Sequence, residues 1–425
     1  MQTNHQEKPI CIYSCGVDFS LSEKLLYHIE NADYIYGSQK LFVKLPKHNA
    51  KEIAITAKAH EQAKEILTLA KQKKILVLCS GDSLYHGFGS TLVNLCPKEK
   101  RENLFEIIPN STAFQALCAK CCLPWQDAEL FTAHFQEELP LRKMANSKLA
   151  VIYGGTKYPA HKIAQEILHF SPQQKNRQGI FAEELGTQEE KILEAKLEEI
   201  AQVDTKPTSI LILLPFENTE ENILARQKEN CLTLGLGEEI YAKENNLITQ
   251  ADCRAIILAR FHLEKEGVFW DLGAGSGSLG LEAAGLTNMQ VFGVEKNEKR
   301  IKDIKKNKQH MGITNYIPVH GEILETIPTL PQADKIFIGG GGKDISAILD
   351  SCKKYAKKNA RIIVSCVTLE TYSALYPYDN LNRLDLLQIN ISSEQKIANA
   401  YHHFKPHNTL YLFIFENKKQ DEPWH

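Results

Sequence analysis

Residues 269–282, FWDLGAGSGSLGLE, run an apolar stretch into an acid, Asp271, and then place Gly273, Gly275 and Gly277 at every second position. Glycines so spaced let the backbone turn tightly and approach a ligand closely, while a helix starting there aims its free amides at the same point. The chemistry on offer is the cradling of a nucleoside-bearing cofactor. About a dozen residues on, VFGVEKN ends a second apolar run at Glu295. An open parallel sheet places a carboxylate there to receive two ribose hydroxyls.

Gly275, Gly277 and Gly280 also satisfy G-x-G-x-x-G, a pattern that by itself admits a dinucleotide. The longer D-x-G-x-G-x-G beginning at Asp271 resembles motif I of the class I S-adenosyl-L-methionine (SAM) methyltransferases. An acid at that place can meet the amino group of the methionine moiety, whereas beside a pyrophosphate it would repel. SAM is the expected cofactor, with NAD or a purely structural glycine turn as alternatives. Its expected contacts are Asp271, Gly273, Ala274, Gly275, Gly277, Glu295 and Lys296.

The elements that must position these residues follow from periodicity. ICIYSCG, YIYGS, ILVLCSGD, LFEIIPN, LAVIYGG and SILILLP are short strand-type runs, separated by amphipathic stretches such as SEKLLYHIENA and HKIAQEILHF. The alternation predicts an α/β protein with largely parallel sheets. Residues 215–246 are charged and loosely patterned, so a domain boundary is expected near 215–230. After it, LITQADCRAIILARFHLE gives a helix entering the glycine-rich strand. A helix (KRIKDIKKNKQHMG) and four strands (YIPVHGE, ADKIFIGGGG, ARIIVSCVTLE, TLYLFIFEN) then follow in the order of a doubly wound sheet. Ligands of such sheets lie at the carboxyl ends of the strands. That rule sets Gly321 and Glu322 beside an adenine and residues 339–342 and 368–371 toward a substrate.

In the first half, CSGDSLYHGFGS at 79–90 is a strand end with a glycine-bearing loop that carries Asp82, Tyr85 and His86. PNSTAFQ at 109–115 and LPWQD at 123–127 follow. Polar and aromatic groups on such loops suit a pocket, and equally suit plain turn chemistry.

Composition narrows the class. With 43% hydrophobic and 24% charged residues among 425, the chain is globular and long enough for two or three domains. Lys plus Arg number 50 against 52 for Asp plus Glu, so no global field draws it to nucleic acid or an anionic membrane. The polar start lacks a signal-peptide pattern and no apolar run approaches a membrane span, which makes the cytoplasm the expected compartment. Eleven scattered cysteines do not form a disulfide framework. The cluster Cys118, Cys121 and Cys122 reads as small apolar helix residues, and no metal is expected.

Taken together, these stretches resemble the precorrin-6Y C5,15-methyltransferase (decarboxylating) family of cobalamin biosynthesis. SGDSLYHGFGSTL and PNSTAFQALCAKCCLPWQD are similar to loops of the tetrapyrrole methylase fold, and IYGGTKYPAHKIAQEIL to a later segment that contacts SAM there. WDLGAGSGSLGLEAA, VEKN, FIGGGG and VTLET are similar to the decarboxylating domain. The resemblance implies a tetrapyrrole methylase fold of two α/β subdomains over 9–215. A doubly wound, Rossmann-like class I SAM methyltransferase domain over 230–420 then follows. It further implies SAM-dependent methylation of a precorrin or cobalt-precorrin at carbon 5 by the first domain and carbon 15 by the second. The second domain also removes carbon dioxide from the carbon 12 acetate, and the assembly is a homo-oligomer. Gly81, Asp82 and Ser111 become SAM contacts of the first domain, and Arg254, Lys343 and Thr368 a donor set for substrate carboxylates.

The sequence departs from the family where a first loop G-x-G-P-G-D is usual. Tyr13, Cys15 and Val17 replace its three glycines, Asp18 remains, and Ser83 stands for a proline after the S-G-D turn. Those changes leave open a first domain that only docks the second. An RNA or protein substrate is the other alternative, against which IFIGGGG stands where amino-directed nucleic-acid methylases carry N-P-P-Y.

Overall fold

The computed structural model describes residues 8–56, 58–85, 87–134, 136–216, 234–243, 249–340, 342–397 and 401–418, and every structural statement refers to these. The expected boundary region, His86 and Gly341 lie largely or wholly outside them. Contacts divide the chain into two compact units, one of residues 1–136, 147–168 and 174–217 and one of 137–146, 169–173 and 218–425.

The first unit holds two five-stranded sheets. One has the order β3-β2-β4-β1-β5, all parallel, from β1 (Ile10–Ser14), β2 (Tyr34–Gly37), β3 (Lys51–Ala54), β4 (Ile75–Cys79) and β5 (Phe105–Ile108). Every residue of β1 and β4 is buried, as central parallel strands covered on both faces require. The second has the order β6-β7-β10-β8-β9, from β6 (Glu129–Thr132), β7 (Ala150–Tyr153), β8 (Gln178–Glu183), β9 (Lys191–Lys196) and β10 (Ser209–Leu213). Only β6 and β7 pair in parallel there, so the expectation of largely parallel sheets fails for this sheet. The physical reason is the short connection from β8 to β9, which turns through Glu184 and Gly186 at φ of 51° and 75°. A link that short can only make a hairpin.

The second unit carries a seven-stranded sheet of order β13-β12-β11-β14-β15-β19-β16. Its strands are β11 (Val268–Leu272), β12 (Gln290–Glu295), β13 (Tyr316–His320), β14 (Lys335–Ile338), β15 (Arg361–Cys366), β16 (Asn382–Ile389) and β19 (Leu410–Glu416). Pairing is parallel from β13 to β15 and antiparallel around β19, and the order reverses between β11 and β14. Between β16 and β19 the chain forms a separate ribbon, β17 (Ser392–Ile397) with β18 (Tyr401–Pro406), in which every residue is exposed.

Over β11 lies the helix Ser278–Leu286, SLGLEAAGL, whose near-complete burial explains its lack of a polar face. Glycine makes the packing possible. A Cβ on Gly293 would stand 1.7 Å from the Tyr316 hydroxyl, and one on Gly280 would stand 2.6 Å from Asp271 Oδ2. Among the described residues no helix is long and apolar enough to cross a membrane.

Gly293→Ala is expected to destabilise the second unit by about 1–3 kcal/mol or more, since Tyr316 has no free volume to retreat into. Chemical denaturation against the wild-type chain measures it.

Candidate functional site

The turn after β11 takes its shape from three left-handed residues, Gly273, Gly275 and Gly277, at φ of 76°, 59° and 75°. Side chains seldom tolerate that region. The amides of Gly273 and Ala274 donate to Val294 O at 2.9 and 3.0 Å, and that of Gly277 to Ala274 O at 2.8 Å. Glu295, at the end of β12, accepts from the amides of Gly275 (2.9 Å) and Asn297 (3.0 Å). A Cβ built on Gly275 would meet nothing within 4 Å, so the turn has an open side. Beyond β14 the next glycine loop closes in, with Gly340 N 2.9 Å from where a Gly273 Cβ would lie.

The neighbouring strand end joins this edge. Gly321 N donates to Glu295 O at 3.2 Å, and the exposed Lys296 Nζ lies 3.5 Å from Glu322 Oε1. Gly273, Ala274, Gly275, Gly277, Glu295, Lys296, Gly321 and Glu322 thus gather at the carboxyl edge of β11, β12 and β13, where the strand order reverses. An open glycine face beside a buried carboxylate fits a cofactor with a ribose.

Asp271 does not face outward as expected. Its carboxylate is 1% exposed and accepts from Gly280 N at 3.1 Å and from the Tyr316 hydroxyl at 3.5 Å. It fastens the turn to the following helix from beneath. Burial pushes its carboxyl up to about 7, against the two hydrogen bonds and with a further rise from the charge of Glu295. Burial likewise raises the Tyr316 hydroxyl, and the Asp271 charge adds to it.

The proposed donor set for substrate carboxylates fares unevenly. Arg254 is fully buried, with Nε donating to Glu282 Oε1 at 2.7 Å and the other nitrogens donating to Thr249 O and Leu236 O. Full burial leaves it no exposed face for a substrate, and in the sequence a lone arginine on a helix reads the same whether its partner is a ligand or a distant glutamate. Thr368 caps the helix Leu369–Leu375 by accepting from Thr371 N. Lys343 lies in the exposed turn Gly342–Asp344. Val367 and Leu369, on either side of Thr368, are 60% and 79% exposed, an apolar pair at the end of β15 of which the sequence set only Leu369, within 368–371, toward a substrate.

In the first unit a cavity of about 470 Å³ is lined by Gly16, Val17, Gly81, Asp82, Thr112 and Tyr153 among others. Gly16 and Gly81, at φ of 65° and 66°, exchange amide-to-carbonyl bonds of 3.1 and 2.9 Å. Of the residues replacing the loop glycines, Tyr13 is buried with its hydroxyl 2.9 Å from Ser22 Oγ, while Cys15 and Val17 border the cavity without closing it. Asp82 also serves its own turn, accepting from Leu84 N at 2.9 Å. Ser111 is exposed and takes its amide to Asn110 Oδ1, whereas the adjacent Thr112 lines the cavity. Lys40 and Lys44, two cations the sequence did not single out, line it as well. All ten described cysteines are free thiols.

Comparison with known proteins gives two family matches, a precorrin methyltransferase domain at residues 239–417 and the tetrapyrrole (corrin/porphyrin) methylases at residues 20–201. The chain is 31% identical to a "Probable cobalt-precorrin-6B C(15)-methyltransferase (decarboxylating)" of Pyrobaculum calidifontis, over 33% of this chain and 74% of the relative. It is 24% identical to a precorrin-6Y C(5,15)-methyltransferase [decarboxylating] of Sinorhizobium sp, over 86% of this chain and 85% of the relative. A crystal structure of a precorrin-6y C5,15-methyltransferase from Geobacter metallireducens is 26% identical, with a TM-score of 0.40 over 43% of this chain and 97% of the other.

The raised carboxyl of Asp271 has a stability consequence. Because the folded value lies above the ordinary 3.8, its contribution is complete below 3.8 and disappears as pH rises through about 7. Asp271→Asn keeps an acceptor for Gly280 N and cannot ionise. Wild-type stability is expected to fall relative to this variant across that window, as thermal melts at stepped pH will read out.

Proposed function

The chain belongs to the precorrin methyltransferase family, and from that premise we propose that it transfers two methyl groups from SAM to a precorrin, at carbons 5 and 15. The carbon 12 acetate loses carbon dioxide in the same enzyme. The observation that carries the reading is the turn 273–277, open at Gly275 and flanked by the Glu295 carboxylate.

Bound SAM supplies an electrophilic methyl group, and the electron-rich reduced ring supplies the carbon nucleophile. The residues are then needed for alignment and exclusion of water. Glu295 exchanges its bond to Gly275 N for the ribose hydroxyls, with Lys296, Gly321 and Glu322 framing the adenine. Val367 and Leu369 offer an apolar rest for a flat ring, with Lys343 and Thr368 beside them for its carboxylates. On decarboxylation the conjugated ring takes up the electron pair of the broken carbon–carboxylate bond, and a proton from water then completes the methyl group.

In the first unit, the cavity beside Gly81 and Asp82 takes the second SAM, and Lys40 and Lys44 supply the cations a polycarboxylate needs. The open cavity favours an active carbon 5 site over a docking platform, despite the altered first loop. The domains extend over 9–215 and 230–420, and the reaction belongs to the cytoplasm.

The exposed ribbon β17–β18 supports a homo-oligomer. A two-stranded ribbon is marginal alone in water, and this one displays Tyr401 and Phe404 at 73% and 75% exposure.

Mass spectrometry of a precorrin incubated with SAM and the wild-type chain is expected to show two methyl additions and one carbon dioxide lost. Gly275→Val should leave a single addition and no decarboxylation, and Gly81→Leu a single addition with decarboxylation. An untouched corrinoid with the wild-type chain would end the proposal. Leu369→Ser is expected to raise KM for the tetrapyrrole with KM for SAM unchanged. Tyr401→Asp with Phe404→Asp should reduce the mass seen by light scattering to that of one chain.

A further inference from the structure

Two buried polar side chains tie residues 234–243, which precede β11, to the cofactor turn and its helix. Asn307, on the helix Glu298–His310, accepts from Ala242 N at 2.7 Å. It donates through Nδ2 to Ala242 O at 3.0 Å and to Ser276 O at 2.9 Å. Ser276 stands between Gly275 and Gly277, so the amide holds the turn itself. Glu282, on the helix that leaves the turn, accepts from Gly235 N (2.9 Å), Leu236 N (3.1 Å), the Tyr241 hydroxyl (2.9 Å) and Arg254 Nε (2.7 Å). The Arg254 guanidinium lies over the Tyr241 ring, 5.0 Å from its centre. Segment and turn are therefore fastened at both ends of 234–243.

A buried side-chain amide that reads both backbone groups of one residue and a carbonyl of another is satisfied in one register only. The turn needs such restraint. Its three left-handed glycines have more conformational freedom to lose than any other residue type, and a ligand binding a loose turn must bear that ordering cost.

We propose that Asn307 is a positioning residue for SAM: it couples residues 234–243 to Ser276 and so presets the turn before the cofactor arrives. The coupling rests on the assignment of the turn to SAM made above. Asn315 is the control the structure offers, because its Nδ2 bonds Ala284 O, Thr287 O and Met289 O and none of the turn.

The test is calorimetric titration with SAM of the full-length chain in the Gly81→Leu background, which leaves the turn as its one SAM site, without and with Asn307→Leu, Asn307→Asp or Asn315→Leu, beside denaturation curves and steady-state rates. Asn307→Leu should weaken SAM binding roughly tenfold or more and raise KM for SAM, with KM for the tetrapyrrole unmoved. Asn307→Asp keeps the acceptor for Ala242 N but not the donor to Ser276 O. It should show the same loss, and serves if the leucine variant does not fold. Asn315→Leu should lose stability and keep its SAM affinity. Wild-type affinity in both Asn307 variants, or losses tracking unfolding midpoints equally at positions 307 and 315, overturns the coupling. A Gly81→Leu chain that binds no SAM overturns instead the assignment of the turn, and the coupling with it.

Discussion

No side chain fits against the Tyr316 ring at Gly293 on β12 or Gly280 on the following helix, and the glycine-turn edge of the second unit is built around that exclusion. Gly293 and Gly280 leave room for the Tyr316 ring and for Asp271 beneath it. The helix after the turn can then settle directly on β11 and β12, bringing its first amides to the point where the turn opens. A carboxylate buried this deeply would ordinarily be a liability. Here it is held by the Gly280 amide and the Tyr316 hydroxyl, which explains why an acid persists at a place water does not reach.

The same economy of space separates the two units' ways of making a pocket. In the second unit the strand-end turn is built from backbone and Glu295, and at Gly273, Gly277 and Gly280 a Cβ would meet its neighbours at 2.6 to 3.1 Å. In the first unit a wide cavity is walled by side chains from loops of both sheets, and substitutions in its first loop alter the lining without filling it. Burial there raises the Tyr153 hydroxyl to about 12, opposed by its bond from Phe114 N. A neutral aromatic wall results, beside the positive charges of Lys40 and Lys44.

Much of this was legible in the residues. Continuous apolar runs marked β1, β4, β10, β11, β12 and β15, because strands covered on both faces carry no polar alternation. The glycine spacing marked the turn, and the acid that ends VFGVE is Glu295. What escaped were features whose partners are remote in sequence. Nothing in the string links Arg254 to Glu282, twenty-eight residues away, or turns Asp271 inward toward Tyr316. The strand β9 was missed because charged residues interrupt it, β8 because its apolar run Ile180–Ala182 is too short to stand out, and the exposed strands β17 and β18 because they have no buried face to create a pattern. The rule of the strand ends set residues 368–371 toward a substrate, but the exposure of Val367 and Leu369 is a property of the fold and not of the residue type.

The reciprocal bridge between Gly16 and Gly81 bears on how this chain can drift. Positions 13, 15 and 17 hold side chains that are buried in the core or border the cavity, so the first loop accommodates side chains at every second place. Position 16 lies in the left-handed region with the Asn110 side chain 2.8 Å from any Cβ, and its partner backbone is equally committed. Lineages could therefore rewrite the chemistry of the loop while its path stays frozen, a division of labour in which specificity evolves and geometry is inherited.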